Sequence, residues 1–390
     1  MRREHGFSII ELVVSMGLML GITAAVFAML NPSQGSYAVE PEVADMQQRL
    51  RVSTDTLARD LVMAGSGAYT GAMAGSLAYY FAPVLPFRQG LVNDDPPGTF
   101  KTDTITMMYV PTTNSQTSIA TDMPSTSAEL KVTAETNCPA GDPLCGFIQD
   151  DNVMIFDDSG SYDTFTITNV QDAALHLQHN LNDLSKKYMA GSKIVKMASH
   201  TYYLRTDVPN KTYQLMHYDG GSNPDVPLVD NVVALAFDYY GDGKPPMMKK
   251  PLADPTGPWT TYGPAPRNPP AGYGAGENCL FMNDGTPTPA PRLADLSNAG
   301  NPNALVQLSA AQLTDGPWCP DGANPNRWDA DLLRIRKIVV RIRVQSSNDA
   351  LRGPASLLFT YGGTSKAGSR LAPDQEIRFT VTPRNMNLGR

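Results

Sequence analysis

Basic residues are missing from a long early stretch: after Arg2 and Arg3 no lysine or arginine occurs until Arg49. No long Lys/Arg cluster follows either, and the 390-residue chain carries a formal net charge of -7. A general nucleic-acid binder needs a basic surface to meet phosphates, so the balance argues against nucleic acid as a partner. Catalytic signatures are absent too. The chain has no GxSxG nucleophile elbow, no P-loop and no HExxH metal helix, so neither an enzyme nor a cofactor is expected. Histidine is scarce. His176 and His179 fall together in LHLQH, but a spacing of three on a strand points them to opposite faces, which suits surface or packing roles better than a shared metal. Acidic turns at Asp157-Asp158 and at Asp238 with Asp242 offer oxygen ligands without EF-hand spacing and read as solvated turns. No metal is expected.

Cysteine is limited to Cys138, Cys145, Cys279 and Cys319, an even number lying far from the N-terminus. No CxxC and no zinc-type Cys-His spacing occurs, so two disulfides in an exported head outweigh the rival metal reading. Cys138 and Cys145 bracket CPAGDPLC, whose Pro and Gly let the chain turn back into a small ring. Cys279 and Cys319 then pair by exclusion.

What the opening of the chain does have is an apolar run. FSIIELVVSMGLMLGITAAVFAML, residues 7–30, is broken only by Glu11 and the small Ser8, Ser15 and Thr23. As a helix its 24 residues rise ~36 Å, enough to cross a ~30 Å hydrocarbon core. Arg2 and Arg3 lie before it, so the positive-inside bias keeps the N-terminus cytoplasmic and puts the remainder across the membrane. A conventional secretory signal has its cleavage site after the apolar region; here the short basic leader ends in Gly6 before it. Cleavage there leaves the hydrophobic helix on the mature chain. Glu11 is the anomaly, since a carboxylate at a bilayer centre costs at least ~2.5–3.5 kcal/mol and is usually paired.

The leader MRREHG, then Phe7, then Glu11 inside an unbroken apolar helix, resembles the class III signal of type IV pilins and type II secretion pseudopilins. The resemblance implies cleavage between Gly6 and Phe7 by a prepilin peptidase, methylation of the Phe7 amine, and docking of Glu11 against the Phe7 ammonium of a neighbouring subunit. Paired, the two desolvated charges offset each other. It also implies other pilin or pseudopilin subunits as partners, an inner-membrane anchor with a periplasmic head, and an extracellular pilus tip after assembly.

Downstream, PEVADMQQRLRVSTDTLARDLVMAG places Val43, Met46, Leu50, Leu57 and Leu61 at helical three-and-four spacing, with acids at the start and Gly65 past the end. In pilins such a stalk covers an antiparallel sheet. Beyond Gly65 the chain reads as strands, among them TITMMYV, NVMIFD, DTFTITNV, KIVKMASHTYYLRT, NVVALAFDYY and IRKIVVRIRVQS. In the last, alternation of Ile338 and Val340 with Arg341 and Arg343 predicts one buried face and one wet face. The expected fold class is α+β and pilin-like: a long transmembrane and amphipathic helix packed on an antiparallel β-sheet head with an extra β insertion. The expected organisation is a leader over 1–6, a transmembrane helix over 7–30, an amphipathic stalk over 31–66 and a β-rich head over 67–390, with a β module inserted at 126–197. The stretch 241–331 holds half of the chain's 32 prolines and all three of its tryptophans, so it reads as an irregular insertion with one short helix at SAAQL. It serves as a partner-binding surface or as decoration.

VPLVDNVVALAFDYYGDG, DADLLRIRKIVVRIRVQ and the terminal RFTVTPRNMNLGR look like the later strands of PilW-like minor pilins and J-type pseudopilins. That likeness implies a subunit that initiates or caps a pilus. A tip-complex pseudopilin of type II secretion and a tip adhesin using 241–331 are the alternatives. The Pro-rich insertion departs from the pattern of those subunits.

Overall fold

The computed structural model describes residues 8–67, 75–111, 115–135, 138–179, 184–207, 212–247, 263–264, 273–286, 288–352 and 372–387, and only the backbone of 30–38, 212 and 350. The fold is α+β, one N-terminal apolar helix followed by antiparallel sheets. The chain divides into two compact units, 1–51 with 343–376, and 52–342 with 377–390.

A single helix, Ile9–Met63, carries both the apolar run and the amphipathic stretch. Its end is set by backbone geometry. Gly65 sits at φ +78°, and a Cβ there would lie 3.1 Å from the Met386 side chain, so any other residue is strained and crowded. Of the predicted stripe, Met46, Leu57 and Leu61 are fully buried, Leu50 nearly so, and Val43 half-buried. Removing a leucine of this kind typically costs about 2–5 kcal/mol.

Within the larger unit a five-stranded sheet runs in the order Val84–Leu85, Thr104–Tyr109, Ala198–Asp207, Thr212–Tyr218, Val226–Asp230. The last turns of the helix are joined to it: after Met63, Gly65 donates to the Met108 carbonyl at 3.0 Å and Val110 to that of Ser66 at 2.8 Å. A second, six-stranded sheet has the order Gln116–Ser118, Lys193–Lys196, Asn152–Phe156, Tyr162–Gln171, His176–His179, Leu130–Lys131. It has its own core of Ile119, Val153, Ile155, Phe165, Ile167, Leu177 and Ile194. This module starts at Gln116, upstream of residue 126. The run KIVKMASHTYYLRT is therefore two strands. Lys193–Lys196 pairs with Asn152–Phe156 in the module, whereas Ala198–Asp207 pairs with Thr104–Tyr109 and Thr212–Tyr218 in the first sheet.

The third sheet has the order Leu305–Leu308, Val232–Asp242, Ile335–Val344, Gln375–Val381. Here the expected wet face is corrected. On that face Arg343 is buried at 0% exposure and Lys337 and Arg341 are only partly exposed, while Arg336, on the opposite face with Ile338 and Val340, is buried at 2%. Each arginine meets an acid distant in sequence: Arg336 Nε lies 2.8 Å from Asp242, Arg341 3.3 Å from Asp238 and Arg343 3.8 Å from Asp374. Burial of such charges is tolerable only because they are paired.

The four cysteines form two disulfides, Cys138–Cys145 and Cys279–Cys319, with Cα separations of 5.5 and 5.2 Å. They close loops of very different length, with sequence separations of 7 and 40. By chain entropy the longer contributes about 4 kcal/mol and the shorter about 2.5 kcal/mol. Changing both Cys279 and Cys319 to Ser should thus lower the denaturation midpoint more than changing Cys138 and Cys145. The reverse order in urea titrations would refute this ledger.

The described part of 241–331 is bound tightly into the head. Trp328 is fully buried and its indole N–H donates to the Gly160 carbonyl at 3.1 Å. Arg334, also fully buried, pairs with Asp331 and donates to the Gly243 carbonyl at 2.9 Å. At SAAQL the structure has only a 3-10 turn, Ala311–Leu313. GPAPRNPPAG lies largely outside the described residues.

Candidate functional site

Residues 1–7 lie outside the described residues, and with them Gly6, Phe7 and the expected cleavage site. The described helix opens with Leu12 N–H donating to the Ser8 carbonyl at 3.2 Å. Glu11 sits in this first turn. Its Oε2 accepts the backbone N–H of Ser8 at 3.0 Å, so the carboxylate satisfies one of the helix's orphan donors and faces the positive end of its dipole. That local bond is a role the sequence reading missed, although a Glu three residues after Ser8 is the signal for it.

Around Glu11, Ile9–Met29 is a segment of 21 residues long and apolar enough to cross a membrane, and none of it is buried within the chain. Its apolar side chains are exposed all round: Ile9, Leu12, Val13, Leu20 and Phe27 are each more than half exposed. The hydroxyls in the span turn inward on the helix. Ser15 Oγ donates to the Leu12 carbonyl at 2.9 Å and Thr23 Oγ1 to the Met19 carbonyl at 2.7 Å, leaving neither in need of water.

At the other end of the helix, in the larger unit, lies a second, partly buried polar cluster that sequence reasoning did not find. Asp60, 2% exposed, lies on the apolar stripe. It accepts the Tyr202 hydroxyl at 2.6 Å and the Tyr109 hydroxyl at 3.3 Å. Beside them His200 Nδ1 and His217 Nε2 are 2.7 Å apart with stacked rings, Tyr202 packing on His217 and Tyr109 on His200. Burial holds both imidazoles below their ordinary pKa, against the nearby Asp60 carboxylate. Burial raises the Tyr109 phenol to about 12, the Asp60 carboxylate adding to the effect. At its edge the exposed Arg59 places Nε 3.5 Å from Asp60, so the cluster joins an ion pair to two phenols and two imidazoles. It fixes the register of the helix's last turns on the first sheet.

Other expected positions are engaged in structural pairs. His176 Nδ1 lies 3.0 Å from Glu129 and His179 Nε2 lies 3.0 Å from the Ala128 carbonyl. Asp157 pairs with Lys186 at 2.7 Å and Asp158 with Lys193 at 3.0 Å. Among the described residues, the carboxylates of Asp315, Asp329 and Asp331 come within metal-binding distance of one another. Asp329 is already committed, accepting the Gly316 and Asp331 amides at 2.7 and 2.8 Å.

Buried carboxyls give the head an unusual pH response. Burial pushes Asp94, Asp163 and Asp331 up to about 6 and Asp329 up to about 7. A raised acid binds its proton more tightly folded than unfolded, so between about pH 4 and pH 7 the native state holds more protons and stability falls as pH rises. The two depressed imidazoles act oppositely below about pH 6.5, but four carboxyls with large shifts outweigh two imidazoles. The melting temperature near pH 5 should therefore exceed that near pH 8. A scan showing steady loss of stability on acidification from pH 8 would contradict this.

Comparison with known proteins finds no family model, no curated protein and no solved structure that matches this chain.

Proposed function

We propose that the chain is a minor pilin, a membrane-anchored structural subunit that takes part in initiating or capping type IV pilus assembly. The observation that carries the reading is the leader MRREHG followed by Phe7 and Glu11 at the head of a helix whose first 21 residues bury nothing within the chain. An apolar cylinder of that kind needs either lipid or the equivalent helices of neighbouring subunits around it. A filament subunit uses both in turn. In this reading the anchor sits in the inner membrane with the N-terminus cytoplasmic, and the head is periplasmic until assembly carries it outside. The partners are the prepilin peptidase and other minor and major subunits, and the chain has no catalytic role.

Removing the chain from cells that make pili tests the proposal. Few or no filaments are expected, with processed major subunit retained in the membrane. The same anchor motif serves type II secretion pseudopilins; in that case pili are normal and export of a folded substrate stops. Unchanged pili and unchanged secretion would overturn both.

A further inference from the structure

The two disulfides differ in what surrounds their sulfurs. Cys279 and Cys319 are fully buried. Cys138 and Cys145 are only half-buried, and the ring between them exposes Pro139, Ala140, Gly141 and Asp142. Glu135 Oε2 lies 3.9 Å from Cys138 Sγ, and its Oε1 accepts the Gln116 N–H at 2.9 Å, which fixes the carboxyl in place. The backbone N–H of Cys145 points at Cys138 Sγ from 3.2 Å. Among the described residues no carboxylate forms such a group with Cys279 and Cys319.

We propose that Cys138–Cys145 is a thiol-exchange site whose substrate is a dithiol reductant, with Cys145 attacked, Cys138 leaving and Glu135 donating the proton. The roles follow from the asymmetry of the site. Exchange is fastest when the leaving sulfur best carries negative charge, and only Cys138 has both an amide donor and a carboxyl beside it. The incoming thiolate bonds to Cys145 Sγ as the Sγ–Sγ bond breaks, and the electron pair departs on Cys138. Glu135 passes its proton to that sulfur and becomes a carboxylate. The second thiol of the reductant, as thiolate, then attacks the mixed disulfide. Cys145 leaves as a thiolate that takes up a proton from water, and the reductant departs as a disulfide. Two electrons have passed from dithiol to protein. Burial, with Asp142 nearby, raises the Glu135 carboxyl to about 7 despite the Gln116 amide, so it holds a transferable proton below that pH. In the closing direction the carboxylate takes the proton back from Cys138.

The test uses the full oxidised chain in detergent, pulsed with dithiothreitol, alkylated and mapped by peptide mass for each cysteine pair. Cys138–Cys145 should open at least about 10-fold faster than Cys279–Cys319 in native protein. Glu135→Gln keeps an acceptor for the Gln116 amide, and it should slow opening about 10-fold near pH 6 while leaving the rate near pH 9 unchanged. The native chain supplies a second readout: its rate per dithiothreitol thiolate should be high in acid and bend downward near pH 7. Equal rates for the two disulfides would overturn the proposal. So would a Glu135→Gln effect that is absent or the same at every pH, or a native profile with no bend.

Discussion

Asp60→Ala should destabilise the protein by about 3 kcal/mol, the cost of breaking a buried polar network. Asp60 receives the Tyr202 and Tyr109 hydroxyls, both of which lie under the helix with the stacked His200 and His217. Taking the carboxylate away leaves the buried Tyr202 phenol with no acceptor, at a cost on the order of 1–3 kcal/mol, and strips the half-buried Tyr109 phenol of a weaker bond. Tyr202→Phe removes one bond and keeps the anion partly served, so a loss of about 1.5 kcal/mol is expected. Urea unfolding of the full chain measures both. If Asp60→Ala shifts stability by less than about 0.5 kcal/mol, as a surface substitution does, the network does not hold the helix.

Glu11→Ala should leave membrane insertion intact or improved and should impair assembly. A lone carboxylate is costly in hydrocarbon, so its removal favours the inserted monomer. The Ser8 amide that Glu11 accepts belongs to the first turn, and losing that bond costs about 0.3–1 kcal/mol. Docking is the larger effect. In the proposed filament, loss of Glu11 would leave the ammonium of a neighbouring Phe7 buried uncompensated, a penalty of several kcal/mol by analogy with broken buried pairs. The variant is expressed in place of the native copy, its cleavage and membrane level are matched, and filaments and co-purifying minor subunits are counted. Normal assembly at matched levels would mean that the charge takes no part in docking.

The parts of the fold legible in the sequence are those set by local periodicity. Met46, Leu50, Leu57 and Leu61 announce the buried stripe because three-and-four spacing puts them on one face of a helix. Asp60 is invisible by the same logic, since an acid beside an apolar stripe reads as solvated unless its partners are known. Those partners, Tyr109 and Tyr202, are 49 and 142 residues away. Alternation along Ile335–Val344 shows which side chains share a face but not what covers it, and so it puts Arg341 and Arg343 in water although Arg343 is fully buried. Within KIVKMASHTYYLRT nothing marks the change of sheet at Met197, because both halves have equally good strand character. The ring CPAGDPLC was legible from its turn residues. The placement of Glu135 against Cys138 was not, because three residues of spacing say nothing of which atoms face each other.

The mass of the mature N-terminus tests the anchor account most directly. Protein purified from membranes of the producing cell is digested and its first peptide identified by mass spectrometry. The account predicts a chain that begins at Phe7 with a methylated amine. A mature chain that begins at Met1, or one that begins beyond Leu30 with the apolar helix removed, would contradict it.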